Sequence, residues 1–400
     1  MISYINREIY LKKTEPYIGK GLIKVIIGQR RVGKSYLLFQ LIDKIKESEK
    51  NPNIIYINKE LNEFNHIINS KILYSYVKSK SLKSRNNYLF IDEIQTIKGF
   101  EDALKSLLAE GRYDIYCTGS NAKILSGDIA TYLSGRYIEI IVYPLSYVEF
   151  LLFHNLEDDK SNLDLYLKFG GLPYLKNLVL TDEVVFDYLK NIYQAILFRD
   201  VIARFNIRNV EFLERLILYL ANNTGNIISA RNINRFLKSQ NISISLTAIL
   251  NYLEYLAAAF FISRVHRADI SGKKIFEIGE KYYFNDTGLR NAVAGFRPFD
   301  MGLIIENAVF LHLKICGYKI LVGNYQNKEV DFICEKGGEK IYIQVALRIS
   351  EEHTQKREFE NLLDIKDNYP KYVVTLDEYI GASYKGIEHI PLRTFLNKAI

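Results

Sequence analysis

The sequence predicts an α/β fold: a parallel sheet with helices on both faces, followed by a helical region and a smaller α/β part. Three observations carry that expectation. Runs rich in Val, Ile and Tyr alternate with helix-period segments across residues 22–143, the mark of strand–helix–strand units. The stretch KVIIGQRRVGKSYLL (24–38) sets a Gly-x-x-x-x-Gly-Lys-Ser loop between an apolar strand and a helix. An apolar run ending in an acidic pair, YLFIDE, follows at 88–93.

The elements read in order as follows. LIKVIIG (22–28) is a buried strand, and Lys34 to about Lys46 a helix with Leu37, Leu38, Leu41 and Ile45 on one face. NIIYIN (53–58) is a strand, NHIINSKILYSYVKSK (65–80) a helix and NYLFIDE (87–93) the next strand. A helix near FEDALKSLLAE leads to strands at DIYCTGS (114–120) and RYIEIIVY (136–143). The 53–58 strand stands between the loop-bearing strand and the acidic-pair strand. That insertion, with the acidic pair, marks the additional-strand branch of phosphate-loop ATPases.

Beyond YPLSYVEFLLFH the pattern turns helical. EDDKSNLD (157–164) is a polar boundary candidate, and FGGLPYL (169–175) a Gly-Gly-x-Pro turn. Three helical segments, VEFLERLILYLAN, SARNINRFLKSQ and SLTAILNYLEYLAAA, precede strands near FFISRVHR, KKIFEI and KYYFND, with Ser271-Gly272 at a turn. Helix, helix, helix and ribbon is the winged-helix order. From about Arg297 a separate unit is expected, with a helix at GLIIENAVFLHLKICG and strands at YKILVG, KEVDFICEK, EKIYIQVAL and YPKYVVTLD. The division is therefore 1–158, 159–295 and 296–400.

The composition is globular: 400 residues, 48% hydrophobic and 25% charged, with only 7 prolines to break elements. A net charge of +7, spread along the chain, permits an anionic partner without demanding one. Cys117, Cys316 and Cys334 are odd in number and unpaired by spacing, which suggests a reducing compartment and no zinc site. MISYINREIYLKK lacks a signal peptide's apolar core, and YLAAAFFI is too short to span a bilayer. The expectation is a cytoplasmic protein with no membrane partner.

Gly28 and Gly33 let the loop turn tightly, so that the amides of Gly28, Gln29, Arg30, Arg31, Val32, Gly33, Lys34, Ser35 and Tyr36 line an anion site at a helix N-terminus. The expected ligands are ATP and Mg²⁺. Lys34 reaches the β- and γ-phosphates, and Ser35 gives its hydroxyl to the ion. Asp92 holds the ion through water, and Glu93 accepts a proton from attacking water. In TGSNA, Ser120 or Asn121 senses the γ-phosphate or orients water; the alternative is an ordinary strand-to-helix turn.

The motifs GQRRVGKS, LFIDEIQ, TGSNA, LSGRYIEI, YPLSYVEFL, GGLPYL, ILFRDVIARFNIRN and KYYFNDTGLRNA together resemble the prokaryotic AAA-type P-loop ATPases, bacterial and archaeal. These join a P-loop domain to a helical and winged-helix region and a C-terminal domain of uncertain role, similar to restriction-endonuclease folds. The resemblance covers nearly the whole chain and implies ATP and Mg²⁺ at the residues above. It also implies that Arg136, just before the last strand of the first sheet, acts as an arginine finger on a neighbouring copy in a homo-oligomer. A surface ion pair is the other reading of Arg136.

Used on DNA, the helix at 245–257, SLTAILNYLEYLA, would enter the major groove, with Leu246, Ile249, Leu250 and Leu253 as its core stripe and Thr247, Asn251 and Glu254 among the outward positions. It carries no Lys or Arg, so base readout is not supported. Arg231, Arg235 and Lys238 on the preceding helix, and Arg264, Arg267, Lys273 and Lys274 on the wing, allow phosphate tracking. A structural or protein-docking winged helix is the alternative. For the C-terminal part, restriction-endonuclease-like centres use a helix Glu, a strand Asp and a Glu-x-Lys around Mg²⁺. Glu306 and Asp331 supply the first two, but Gln344 stands where the acid belongs and Ala346 where the lysine belongs. Arg348 lies one alternation further on the same strand face, where it would take over the cationic role. The fold is expected to be retained and the cleavage lost. The function expected is Mg-dependent ATP hydrolysis acting on or regulated by nucleic acid, with an ATP-driven switch on a protein partner, or an ATP-gated nuclease, as alternatives.

Overall fold

Strands with no polar face belong at the centre of a parallel sheet, and IKVII becomes one: β1 (Ile23–Ile27), buried along its whole length. With β2 (Asn53–Asn58), β3 (Asn87–Asp92), β4 (Tyr113–Gly119) and β5 (Tyr137–Ile141) it forms a parallel sheet of order β2–β3–β4–β1–β5. This is a computed structural model that describes residues 4–122, 133, 135–239, 242, 244–270, 279–325, 328–349, 359–378 and 383–398. The chain divides into two compact units, Met1–Val142 with Ala258–Phe260, and Tyr143–Ala257 with Phe261–Ile400.

In the first unit, helices α1 (Glu8–Thr14), α2 (Lys34–Ser48), α3 (Ser70–Lys80) and α4 (Phe100–Ala109) accompany the sheet. α2, α3 and α4 bury Leu37, Leu41, Ile45, Leu73, Val77, Leu104 and Leu107 at helical spacing. α3 starts at Ser70 rather than 65, because the Asn69 side chain accepts the Ile72 N–H at 3.1 Å and caps it there. The expected place of 53–58 is also corrected. In the sheet, β4 is the strand between β1 and β3, while β2 forms the edge. The crossover through α2 carries the chain past two strand positions, which β3 and β4 then fill. Lys24, the lone charge in β1, is fully buried in a pair with Asp114 and lies 4.1 Å over the Tyr116 ring.

The second unit starts with α5 (Tyr147–His154), α6 (Lys160–Phe169) and α7 (Asp182–Ala195), which runs into a π-helical stretch, Ile196–Ile202. The polar stretch at 157–164 starts a helix: Asp159 accepts the Asn162 N–H at 2.8 Å and caps α6. Next come α8 (Val210–Asn222), β6 (Ile227–Ile228), α9 (Ala230–Ser239), α10 (Leu246–Ala258), β7 (Ile262–Asp269), β8 (Glu280–Phe284) and α11 (Thr287–Ala294). β6 and β7 both pair antiparallel with β8. Ser271-Gly272, KKIFEI, Lys273 and Lys274 lie outside the described residues. On α10 the buried stripe is Ile249, Leu253 and Leu256. Leu246 and Leu250, expected in the core, are instead 42% and 51% exposed, because the buried stripe is narrower than expected and both lie to one side of it around the helix.

α12 (Met301–Ile315) leads into the antiparallel run β9 (Lys319–Tyr325), β10 (Lys328–Lys336) and β11 (Glu339–Ala346). β12 (Lys371–Thr375) pairs parallel to β11, and β13 (Glu388–Pro391) parallel to β12, before α13 (Leu392–Asn397). These residues do not separate from the region before them. β7 pairs in parallel with β9, Arg267 against Val322, so one sheet runs β13–β12–β11–β10–β9–β7–β8–β6. Its core gathers Tyr283, Ile304, Val309, Phe310, Phe332 and Phe395.

His312, on α12, is buried in this core, and burial pushes its pKa down to about 4. Its neutral form is native-like, so its contribution to stability is present above the ordinary histidine value of about 6.5. That contribution is lost as pH falls towards about 4, on the order of 2–3 kcal/mol. Urea unfolding at pH 7 and pH 5 should show this acid lability, and His312→Met should reduce it. Among the described residues no helix is long and apolar enough to cross a membrane.

Candidate nucleotide-binding site

The loop leaves the C-terminal end of β1 and turns into α2. Gly28 has φ 153, and a Cβ there would stand 2.2 Å from the Val142 carbonyl oxygen, so no side chain fits. Gly33, at φ 92, hands the chain into the first turn of α2, where backbone N–H groups are free of helical partners. The Lys34 side chain is buried and folds back over the loop, its Nζ donating to the carbonyls of Gly28 at 3.0 Å and Gln29 at 2.9 Å. Gln29 and Val32 are buried, while Arg31, at φ 69, and Tyr36 are exposed. Arg30 lies 4.0 Å from Glu60.

The acidic pair arrives from β3. Asp92 is buried and takes hydrogen bonds from the hydroxyls of Ser35 and Thr118. Burial raises its pKa; the bonds from Ser35 and Thr118 oppose that rise, and the neighbouring Glu93 charge adds to it. The two residues that would share an Mg²⁺ ion, Ser35 and Asp92, are therefore already together. Glu93 turns out of the strand at φ 57, its N–H donating to Thr118 Oγ1 at 3.0 Å. Its carboxylate accepts from Gln95 Nε2, which also lies 3.5 Å from Ser120 Oγ. Ser120 and Asn121, both buried, follow β4 at the same end of the sheet.

Arg136 does not join this group. It is exposed and precedes β5, whose Tyr137 pairs with Ile23 at the start of β1. The loop lies at the other end of that strand, roughly 16 Å away at about 3.3 Å per residue. Its own chain therefore cannot use Arg136 at this site.

Sequence reasoning missed three contributors. Thr118 ties Asp92 to the Glu93 backbone; the signal was a lone hydroxyl closing an apolar strand. Gln95 holds the Glu93 carboxylate from two residues on. Arg7 is buried, with Nη1 donating to the Val32 carbonyl at 3.2 Å and N–H to Gln40 Oε1 at 2.9 Å, which braces the loop from the segment before α1. Nothing local in INREIY points to that contact.

Fold and site together define a P-loop protein of the AAA class. A profile described as an AAA domain matches residues 20–151, and one for a domain of unknown function (DUF8612) matches 160–300. An uncharacterized protein of Haemophilus influenzae is 36% identical over 395 residues, covering 97% of each chain. Another, of Methanocaldococcus jannaschii, is 33% identical over 401 residues, covering 94% of this chain and 85% of that one. The chain belongs to the family of these two proteins. Among solved structures, it is similar to the ORC1 protein of Aeropyrum pernix in complex with DNA. The identity is 11%, the TM-score 0.31, and the match covers 73% of this chain and 93% of that one. AMPPCP-bound DnaA from Aquifex aeolicus is similar at 15% identity and TM-score 0.32, over 64% of this chain and 89% of that one.

Proposed function

We propose that the protein is a Mg-dependent ATPase whose nucleotide state is coupled to nucleic acid. The observation that carries the first half is the convergence of Lys34, Ser35, Asp92, Glu93 and Thr118 at one end of the first sheet. The residues fit the nucleotide and the ion: the loop turns into the N-terminus of α2, where the first N–H groups have no helical partners, and the Ser35 hydroxyl and Asp92 carboxylate stand together as hard oxygen ligands. Mg²⁺, when held by Ser35 and Asp92, supplies charge neutralisation on the phosphate oxygens. The loop amides bind and orient the phosphates, and Lys34 exchanges its loop carbonyls for phosphate oxygens. Glu93, held by Gln95, orients water and accepts its proton. Ser120 or Asn121 reads the γ-phosphate. Arg136 serves a neighbouring copy, so a protomer alone hydrolyses slowly. The functional division proposed is 1–158, 159–295 and 296–400, the last two parts being winged-helix and nuclease-like segments that share the one sheet of the second unit.

The nucleic-acid half rests on α9. Arg231, Arg235 and Lys238 are all exposed and lie at i, i+4 and i+7, one face of the helix. Their placement beside a helix–helix–ribbon suits phosphate contacts rather than base readout. The test is steady-state ATP hydrolysis with and without DNA or RNA at low salt, and stimulation is expected. Changing the three residues to Gln should lower the slope of log affinity against log salt by about 2 to 3. A second reading has its own observation: α10 is uncharged by Lys or Arg and exposes Leu246 and Leu250 one turn apart. An ATPase rate indifferent to nucleic acid would favour that protein-docking switch.

A further inference from the structure

In the second unit a lysine is buried where carboxylates meet. Lys281, on β8, is 1% exposed, and its Nζ lies 2.9 Å from Glu306 on α12 and 2.7 Å and 2.9 Å from Glu329 and Asp331 on β10. Two of these carboxylates have further donors. Tyr283 donates its hydroxyl to Glu306 at 2.7 Å, and the Val345 N–H donates to Asp331 Oδ2 at 2.9 Å. Gln344 spends its oxygen on the Asp331 N–H at 3.3 Å. Gly225 packs so closely that a Cβ would stand 2.8 Å from the Glu306 carboxylate.

A nuclease-like fold implies a divalent metal at Glu306, Asp331 and the 344 position, and the residues present do not fit one. Gln344 brings a neutral amide where an acid belongs, and the carboxylates already converge on the Lys281 ammonium, a positive charge that repels a metal ion from the same point. Among the described residues no group of three or more His, Cys, Asp or Glu is arranged to hold a metal. Arg348, the cation expected to take over, is exposed and lies beyond the end of β11. The strand carrying the answering charge is not in the C-terminal part at all: it is the ribbon strand β8.

We infer that Lys281 is the resident cation of this centre. Its ammonium stands in the place of a metal, making Glu306, Glu329 and Asp331 a charge lock that fastens the helix–ribbon region to the C-terminal strands. The two parts then hold together as one body, and the centre serves docking rather than metal-dependent cleavage. The inference rests on this cluster and is independent of the nucleotide reading. Burial opposes the lysine's charge, but Asp331 and Glu306 hold its pKa well above the ordinary value, so it stays a cation at any working pH.

Charge compensation tests it. In the full chain, Lys281→Met should lower Tm by about 10 °C, because it leaves buried carboxylates facing one another. Adding Glu306→Gln and Asp331→Asn to that variant should recover most of the loss, or recover soluble protein if the single variant does not fold. Failure of the triple variant to recover, or a single variant as stable as wild type, overturns the lock. Mn²⁺ titrated into nucleotide-free wild type should produce no binding that Asp331→Asn removes. Binding that this substitution abolishes would overturn the assignment of Lys281 as the cation.

Discussion

Glu93→Gln is expected to bind ATP with a Kd within about threefold of wild type and to turn it over some 10²- to 10⁴-fold more slowly, the usual worth of a positioned general base. Gln keeps the length and planarity of Glu and can still meet Gln95, whose Nε2 donates to the carboxylate in the native protein. It cannot take a proton from water. Binding should survive because the proposed function assigns the phosphate contacts to Lys34 and the loop amides, and the ion ligands to Ser35 and Asp92. Asp92→Asn should differ in kind: it removes the charge that Ser35 and Thr118 are arranged around, and so weakens Mg²⁺ and nucleotide together. Steady-state hydrolysis beside a nucleotide-binding titration separates the two cases. Normal turnover by Glu93→Gln would remove Glu93 from the mechanism.

What the sequence could show of this site was the part written in consecutive residues. The loop, the acidic pair and their flanking apolar runs carry their own context, and the strands at 53–58 and 328–336 begin and end where the sequence places them. Strand order was less legible. Which strand fills the gap between β1 and β3 is decided by crossovers, and a local pattern does not record them. The least legible features were contacts between distant segments. Lys281 meets Asp331 fifty residues on, and Arg7 meets Val32 from before the first helix. Exposure on α10 was misjudged for a related reason. Leu246 fits an apolar stripe by spacing, but its neighbours decide whether that stripe is covered.

Gly288→Ala should be the most damaging of the conservative substitutions, lowering stability by at least about 3 kcal/mol, or roughly 6–12 °C in Tm. The reason lies in two motifs that the sequence could quote but not connect, GGLPYL and FNDTGLRNA. Asp286 is fully buried and caps α11, accepting the Leu289 N–H at 2.9 Å and, from more than a hundred residues away, the Gly171 N–H at 2.8 Å. Asn291 closes the same joint by donating to the carbonyls of Leu167 and Lys168 at the end of α6. For these backbones to meet, side chains must be absent. A Cβ at Gly288 would stand 2.0 Å from the Phe169 carbonyl oxygen, and one at Gly171 would stand 2.4 Å from that of Leu145. Gly170 adds a φ of +75 and a Cβ clash of 2.4 Å with Asp286. Backbone atoms on both sides leave nothing flexible to yield, so the joint must open or the helix must shift. Gly302→Ala is the matched control. It lies in the first turn of α12 with nothing within 4 Å of its Cβ, so it should be neutral or stabilising by up to about 1 kcal/mol. Thermal unfolding of the two variants side by side checks the argument. Equal melting temperatures would mean that the contact between α6 and α11 is looser than these distances require, and that the two motifs owe their glycines to something other than this packing.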